Sequence, residues 1–242
     1  MQRHRFYAPP AQINGPLITL ADDEAHHLTR VLRLPAGARV YVFDGGGNEY
    51  ACEISQAGKR TAELIITEQL SNTVESPLQL TLAVALLKGD KFDWVVQKAT
   101  ELGVTHIVPL LTEHSDIRKT EARADAKLQR WQRIALEALK QCRRRTLVEF
   151  IEPQSWPKFC AAETSNLKLI LSERGGQRLK DVPPTTDSAC IAVASEGGWS
   201  EAELELAMHH GFVPIHLGAR ILRAETAAIT GVALLQHRWG DL

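Results

Sequence analysis

The residues best suited to chemistry in this chain lie in one segment, 217–227. It reads Leu-Gly-Ala-Arg-Ile-Leu-Arg-Ala-Glu-Thr-Ala, between an apolar run and an alanine-rich one. A loop that only faces solvent does not need Ile221 and Leu222, and a core segment does not need Arg220 and Arg223. A loop that folds into a buried cleft needs both kinds, because apolar groups there enclose a ligand while guanidinium groups meet an anion. The segment therefore indicates one wall of a ligand-binding cleft.

Two other loops repeat this pattern of an apolar run followed by glycine and charged residues. They are Leu171-Ser-Glu-Arg-Gly-Gly176 and Ser195-Glu-Gly-Gly-Trp-Ser200. Adjacent glycines let a ligand approach the backbone, although a tight turn between strand and helix accounts for glycines equally well. A tight turn does not account for Glu196 at the carboxyl end of a strand, where ligands bind in open α/β sheets. Three such loops together favour a composite cleft.

The elements that position these loops are predicted by the second part of the chain. Apolar runs typical of strands buried on both faces of a parallel sheet occupy residues 80–87, 105–111, 167–171, 189–194 and 212–216. Apolar residues at helical spacing predict helices that begin after Asp90 and end at Gly103, and that span about 121–144, 200–211 and 224–236. Ser200 and Glu203 form a capping-box pattern. Strands that alternate with helices indicate an α/β domain.

The first part of the chain has a different pattern. Alternating runs at 38–43, 49–54 and 61–66, joined by Gly- and Asn-containing turns, predict a small antiparallel barrel or sandwich with one short helix before it. The polar segment 68–77 is the best linker candidate. We therefore expect a β-rich domain over 1–70, a linker over 71–77 and an α/β domain over 78–242.

Metal, phosphate-loop and membrane functions are not favoured. Asp44-Gly-Gly-Gly-Asn48 precedes a strand rather than a helix, which indicates a hairpin turn. His26 and His27 are adjacent and would point in different directions on a helix, and the four cysteines lack ligand spacing, so we expect no metal. The apolar run over 82–87 is far shorter than the roughly 20 residues of a membrane span. Isolated thiols and no signal peptide suit the cytoplasm.

The charge balance requires any nucleic-acid partner to be held by local clusters. The 242 residues have a net charge of −1, with 44% hydrophobic and 24% charged residues, as in an ordinary soluble globular protein. Basic residues cluster at Arg3-His-Arg5, Arg30-x-x-Arg33, Lys88-x-x-Lys91 and Arg143-Arg-Arg145. Arg30 and Arg33 either contact RNA or are simply solvated, and the sequence favours neither alternative. The cluster Arg143-Arg-Arg145 either contacts RNA or stabilises the C-terminus of a helix through the macrodipole, and these alternatives are also equal.

Taken together, these motifs resemble the ribosomal RNA small subunit methyltransferase E family of the SPOUT superfamily. The residues that carry the resemblance are Leu217-Gly-x-Arg-Ile-Leu-Arg-x-Glu-Thr-Ala227, Glu196-Gly-Gly198, Lys88-Gly-Asp-Lys-x-Asp-Trp94 with Lys98 and Glu101-Leu-Gly103, Glu137-Ala138 with Gln141 and Arg143, and His27 with Val31-Leu-Arg-Leu34 before Gly37. They span nearly the whole chain in family order.

The resemblance implies an α/β fold and a methylation function. A C-terminal SPOUT domain with a mostly parallel sheet and a deep trefoil knot would follow an N-terminal PUA-like β-barrel that binds RNA. The activity implied is methylation of N3 of a uridine in 16S rRNA of the assembled small ribosomal subunit, with S-adenosyl-L-methionine as cofactor. A homodimer through the knot region, without metal or membrane, is implied as well.

The cofactor cleft that the resemblance implies coincides with the three loops. Its expected residues are Leu171, Ser172, Ala194, Ser195, Glu196, Gly197, Gly198, Leu217, Gly218, Ile221, Leu222 and Arg223. One departure concerns Ala194-Ser195, where the family usually has Gly-Pro. Because proline fixes φ, its loss is expected to loosen this loop. His114 likewise stands where the family commonly has arginine.

The catalytic residues expected are Arg220, Arg223 and Glu196. Uracil N3 becomes nucleophilic only after its proton leaves, and cationic donors near the flanking oxygens lower the cost of that step. Glu196 is expected to orient its loop or to act as the base, and Arg223 is expected to act in catalysis or to pair with Glu225 or Glu196.

The RNA contacts expected come from the basic clusters and one aromatic ring. They are Arg3, Arg5, Phe6, Arg30, Arg33, Arg143, Arg144 and Arg145. Two rival functions remain open at this point: a SPOUT enzyme of other specificity, such as a ribose 2′-O-methyltransferase, and a non-catalytic RNA-binding homologue.

Overall fold

The structure, a computed structural model, describes residues 3–58, 60–71, 74–115, 121–182 and 186–242, with the backbone alone for 121–124. Internal contacts divide the chain into two compact units. The first comprises Met1–Glu75 and Leu139–Leu147, and the second comprises Ser76–Ala138 and Val148–Leu242. The first unit is therefore not continuous in sequence, whereas the motifs along the chain predict a continuous domain over residues 1–70.

The first unit is built on a mainly antiparallel sheet that has six strands among its described residues. The strands are β1 (Arg5–Tyr7), β2 (Ile13–Asn14), β3 (Leu17–Ala21), β4 (Arg39–Phe43), β5 (Glu49–Ala57) and β6 (Thr61–Leu70). Their order is β1-β4-β5-β6-β3-β2, and only the β1–β4 pair is parallel among these pairs. The predicted alternating strands are thus confirmed.

The residues between β3 and β4 form the short helix that the sequence predicts. It begins as α1 (Asp22–His26) and continues as a π-helix over His27–Val31. Ala25 and Leu28 from this region join Ile18, Leu20 and other residues in the buried core of the unit. Strand β6 continues to Leu70, so it includes the first three residues of the polar segment expected to be a linker.

Segment 139–147 is held in the first unit by buried charges. The Arg5 guanidinium pairs with Glu49 (2.7 Å) and donates to the carbonyl oxygens of Leu139 (2.7 Å) and Arg144 (3.0 Å). Arg145 reaches the other oxygen of Glu49 (3.0 Å). Because buried charges are tolerated only when paired and hydrogen-bonded, this network fixes the segment in its place.

The second unit is built on a parallel sheet. Its strands among the described residues are β7 (Gln79–Ala85), β8 (His106–Leu111), β9 (Glu149–Phe150), β10 (Gln154–Ser155), β11 (Leu167–Leu171), β12 (Gln177–Arg178), β13 (Ser188–Val193) and β14 (Val213–His216). The order is β10-β8-β7-β13-β11-β14-β12, with β9 beside β8, and all of these pairs are parallel. The α/β class with a mostly parallel sheet is confirmed.

Helices cover both faces of this sheet. They are α2 (Lys91–Glu101), α3 (Glu121–Cys142), α4 (Trp156–Ala162), α5 (Glu201–His209) and α6 (Ala224–Trp239). Neighbouring strand residues point to opposite faces, so Leu82 packs with α2 and α6 while Ala83 packs with α4 and α5. This two-sided burial explains why the predicted strands read as continuous apolar runs.

The predicted helix boundaries agree with the structure in some places and differ in others. The Ser200–Glu203 capping box is present at α5, with both reciprocal hydrogen bonds made. Asp90 stands at the N-cap of α2 but its side chain caps nothing there; it pairs instead with Arg130 (3.1 Å) on the surface. The helix predicted to reach residue 144 ends at Cys142.

Two kinds of feature are absent from the parts of the chain that the structure describes. No helix there combines the length and apolar character needed to cross a membrane. No three His, Cys, Asp or Glu side chains there come together as metal ligands do.

Candidate active site

The three glycine-containing loops lie along one edge of the parallel sheet. Strands β13, β11 and β14 are neighbours in that order, and all run in the same direction. Their carboxyl ends therefore meet at one edge, and each is followed by one of the loops. This is the position where open α/β sheets bind ligands.

These loops enclose a cavity of about 340 Å³. All but one of the residues expected to bind a cofactor line it: Leu171, Ser172, Ala194, Ser195, Glu196, Gly198, Leu217, Gly218, Ile221, Leu222 and Arg223, together with Arg220. Gly197 does not line it, because its Cα faces the turn that contains His114. A cavity of this size is in the range of small-molecule sites.

The cavity is also lined by residues outside the expected cofactor set. Trp199 is buried, and its indole N–H donates to the Leu171 carbonyl (2.9 Å), which ties the second loop to the first. Ile215 is buried in β14, and Ala224 and Ala227 belong to the first turn of α6. Ile215 lies in a predicted apolar strand, and Trp199 lies at the end of the glycine-containing loop 195–200, but the sequence indicates a cofactor role for neither of them.

The loop after β13 is held on one side by the turn over residues 112–115, which contains His114. The buried Ser195 hydroxyl donates to the His114 carbonyl (3.0 Å), and the Gly198 N–H donates back to Ser195 (3.0 Å). Gly198 has φ +72, a conformation that favours glycine. The sequence predicts a looser loop because proline is missing at 195, but here a side-chain hydrogen bond constrains that residue.

The same loop is held from the other side by a lysine. The Lys91 ammonium lies 2.6 Å from Glu196 Oε1 and 3.9 Å from Glu225 Oε2. The hydrogen bond from Lys91 is the main cause that lowers the pKa of Glu196 below its usual value. A carboxylate with a lowered pKa is a poor proton acceptor, which favours an orienting role for Glu196 over that of a base.

The loop after β14 presents the two arginines. Arg220 and Arg223 are exposed, and neither pairs with a carboxylate within the described ranges, so the expected alternative of an Arg223 pair with Glu225 or Glu196 is not observed. Ile221 between them is 81% exposed. Two unpaired guanidinium groups and an exposed apolar side chain at a cavity rim are able to meet a planar, negatively charged ligand.

The expected RNA-contact residues divide into exposed and buried sets. Arg3, Arg30, Arg33 and Arg143 are exposed. Phe6 is fully buried in the core of the first unit, and Arg5, Arg144 and Arg145 are buried in ion pairs with Glu49 and Glu75. An RNA contact needs an accessible side chain, so the expectation is corrected for these four residues. Charge clustering indicated the three arginines and the aromatic ring indicated Phe6, but neither feature of the sequence carries information on burial.

Comparison with known proteins agrees with this geometry. A family model described as an RNA methyltransferase domain matches residues 74–236, and one described as an RNA methyltransferase PUA domain matches residues 20–67. A ribosomal RNA small subunit methyltransferase E from Synechocystis is 36% identical over 238 residues, covering 95% of this chain and 76% of the relative.

Two solved structures are similar over their whole length. Ribosomal RNA small subunit methyltransferase E from Neisseria gonorrhoeae, bound to S-adenosyl methionine, has a TM-score of 0.93 and 33% identity with all of both chains covered. A protein of Legionella pneumophila described as a methyltransferase, in complex with the bound cofactor SAM, has a TM-score of 0.94 and 34% identity, again with both chains fully covered. With both family domains present and relatives aligned along nearly its entire length, this chain belongs to the ribosomal RNA small subunit methyltransferase E family.

Proposed function

We propose that this protein uses S-adenosyl-L-methionine to methylate N3 of a uridine in 16S rRNA of the small ribosomal subunit. The observation that carries the proposal is the cavity formed by the loops after β11, β13 and β14. It lies in a chain whose family includes structures solved with this cofactor bound. The uridine and its N3 atom come from the family resemblance of the motifs.

The residues of the cavity fit this cofactor. Leu171, Leu217 and Leu222 offer apolar surface for a purine ring. Gly218 has φ +108 and open space where a Cβ would be, so its backbone is accessible to a ligand. Glu196 adds a carboxylate suited to a cation such as a sulfonium or an amino group. We assign the twelve expected cofactor residues to this site, with Gly197 acting through loop shape rather than contact.

The arginines of the third loop supply the chemistry that the uridine requires. When bound, the cofactor would supply an electrophilic methyl group, whose bond to sulfur breaks as the bond to N3 forms, and it would leave as the neutral thioether. Uracil N3 must first lose its proton, which passes to solvent, and the resulting negative charge spreads to the flanking carbonyl oxygens. Arg220 and Arg223 are exposed at the cavity rim without carboxylate partners in the described ranges, so their donors are available for those oxygens. Glu196, held by Lys91, orients its loop.

RNA binding is assigned to the exposed arginines Arg3, Arg30, Arg33 and Arg143. Contacts of this type neutralise phosphates and release counterions, so binding weakens as salt increases. The target base is expected to be turned out of its surroundings to reach the cavity.

The wider organisation follows the same family resemblance. We propose a deep trefoil knot near the cofactor loops, a homodimer formed through the knot region, and a location in the cytoplasm. The domain boundaries 1–70 and 78–242 around the linker 71–77 are kept as a proposal, and family-model matches to residues 20–67 and 74–236 support a division in this part of the chain.

Arg220→Ala tests the catalytic assignment. Methylation of small ribosomal subunits should fall by two to three orders of magnitude, because an oriented donor to a developing anion contributes roughly that factor. The affinity for S-adenosyl-L-methionine and the melting temperature should stay near those of the unaltered protein. Arg133→Ala is the matched control, since Arg133 is an exposed arginine on α3 outside the cavity. Near-normal turnover of Arg220→Ala would remove Arg220 from the mechanism.

Two measurements separate the rival functions. Mass spectrometry of the product RNA locates the new methyl group, and a 2′-O-methylated ribose would exclude N3 methylation. Calorimetry with S-adenosyl-L-methionine addresses cofactor binding directly. No heat of binding at millimolar cofactor would favour a non-catalytic RNA-binding protein.

A further inference from the structure

A single ammonium group connects two walls of the cavity. Lys91 is the first residue of α2, and its Nζ faces Glu196 Oε1 at 2.6 Å and Glu225 Oε2 at 3.9 Å. Glu196 belongs to the loop after β13, whereas Glu225 lies in the first turn of α6, directly after the loop that carries Arg220 and Arg223. The contact thus spans three segments that are far apart in the sequence.

The two carboxylates need this cation. The Glu225 side chain is only 12% exposed, and its Oε2 accepts no hydrogen bond within the described residues. A buried carboxylate without compensation is costly, and a second carboxylate nearby adds repulsion. Lys91 offsets both effects, because one ammonium lies beside both groups. Without it, the two carboxylates would repel each other, and only the weaker charge effect of Lys88 would remain at Glu196.

We propose that Lys91 is a positioning residue that holds the Glu196 loop and the start of α6 at the separation that cofactor binding requires; the inference rests on the proposed function. Lys91 itself does not line the cavity, whereas Glu196 does. Its effect on a ligand is therefore exerted through Glu196. The short contact to Glu196 and the lowered pKa of that carboxyl group both indicate a charged pair at neutral pH.

The test is a double-mutant cycle on cofactor binding. Lys91→Met keeps the aliphatic stem and removes the charge, and Glu196→Gln removes the charge of the partner. The dissociation constant for S-adenosyl-L-methionine, measured by calorimetry, should rise about 10- to 100-fold in Lys91→Met, the worth of one hydrogen bond to a charged group. In the double variant the dissociation constant should rise no further than in the weaker-binding single variant. Lys91→Arg should recover most of the affinity.

Kinetics give a second readout, since a positioning role affects binding more than the chemical step. The KM for the cofactor should rise by about the same factor as the dissociation constant, while kcat changes less than threefold. Lys98→Met is the matched control. Lys98 is on the same helix, has similar side-chain exposure (34% against 37%) and is ion-paired with Glu101, but it lies outside the cavity loops. Its removal should change cofactor affinity less than twofold.

Several outcomes would overturn the inference while leaving the proposed function in place. One is unchanged cofactor affinity in Lys91→Met. Another is a double variant whose dissociation constant rises by the product of the two single-variant factors. That result would mean that Lys91 and Glu196 act independently. An equal loss in Lys98→Met would show a general effect on α2. If the unaltered protein binds no S-adenosyl-L-methionine, the proposed function fails and the inference fails with it.

Discussion

Replacing Gly197 by alanine is expected to displace the Glu196 loop and weaken cofactor binding. A Cβ added at Gly197 would lie 2.5 Å from the His114 Cβ, with His114 Cγ and the His114 carbonyl oxygen each at 3.3 Å. Carbon atoms in contact prefer a separation of about 3.5–4.0 Å, so the two segments must move apart by about 1 Å. Overpacking of this kind costs about 1–3 kcal/mol. If binding must restore the original loop position, the dissociation constant rises about 5- to 150-fold.

Calorimetry with S-adenosyl-L-methionine and a thermal melt of each variant measure this effect. The melt separates a displaced loop from an unfolded chain. The matched control is the double variant His114→Gly with Gly197→Ala, which removes the Cβ and Cγ atoms in conflict. Its affinity should return to within about threefold of His114→Gly alone. Unchanged affinity and melting temperature in Gly197→Ala, or no recovery in the double variant, would contradict the geometry described for this loop.

Three further predictions concern stability, thiol reactivity and pH. Arg5→Met should lower the free energy of unfolding by about 3–5 kcal/mol, because it breaks a buried ion pair and leaves carbonyl oxygens without donors. Urea unfolding followed by tyrosine absorbance measures this free energy. Arg3→Met, at an exposed arginine, should change it little. Burial raises the pKa of Cys52 and Cys160 to about 12, so both thiols stay protonated at pH 8 and should resist iodoacetamide until urea unfolds the protein, as peptide mass spectrometry would show. The pKa of Glu196 is lowered, so its pair with lysine persists above that pKa and is lost as pH falls through it. The ratio of cofactor affinities between the unaltered protein and Glu196→Gln should therefore stay constant down to about pH 4.3, the usual glutamate value, and a change in that ratio between pH 7 and 5 would contradict this.

Local sequence features were sufficient to predict the elements and loops of the active site. Strands β7, β8, β11, β13 and β14 are apolar runs, whereas the two-residue strands β9, β10 and β12 are not and are missing from the sequence prediction. Each cofactor loop follows an apolar run directly, so the sequence indicates residues 171–176, 195–198 and 217–223 one loop at a time. Their convergence depends on the strand order β13-β11-β14, which arises from pairings between segments far apart in sequence. The apolar pattern does not specify that order.

The residues that were missed or misassigned all depend on distant partners. The sequence marks Lys91 as part of a basic cluster and of a family motif, but it does not indicate the pair with Glu196, which lies 105 positions away. The sequence predicts RNA contacts for Arg5 and Arg144, but the carboxylates that pair with them, Glu49 and Glu75, are 44 and 69 positions away. A basic residue in a cluster is usually solvated, and only the folded chain shows that a carboxylate encloses it.

The composition of the first unit has a consequence for synthesis of the protein on the ribosome. Segment 139–147 belongs to this unit, so the carbonyl partners of Arg5 and the second partner of Glu49 are made only after residues 76–138. At about 5–20 residues per second, the intervening stretch takes roughly 3–13 s to translate. During that interval residues 1–75 of the first unit have been made, but segment 139–147 has not. The N-terminal unit is therefore finished late, when the second unit is already being made, and a pause in translation between residues 76 and 138 would lengthen the exposure of an incomplete fold to chaperones and proteases.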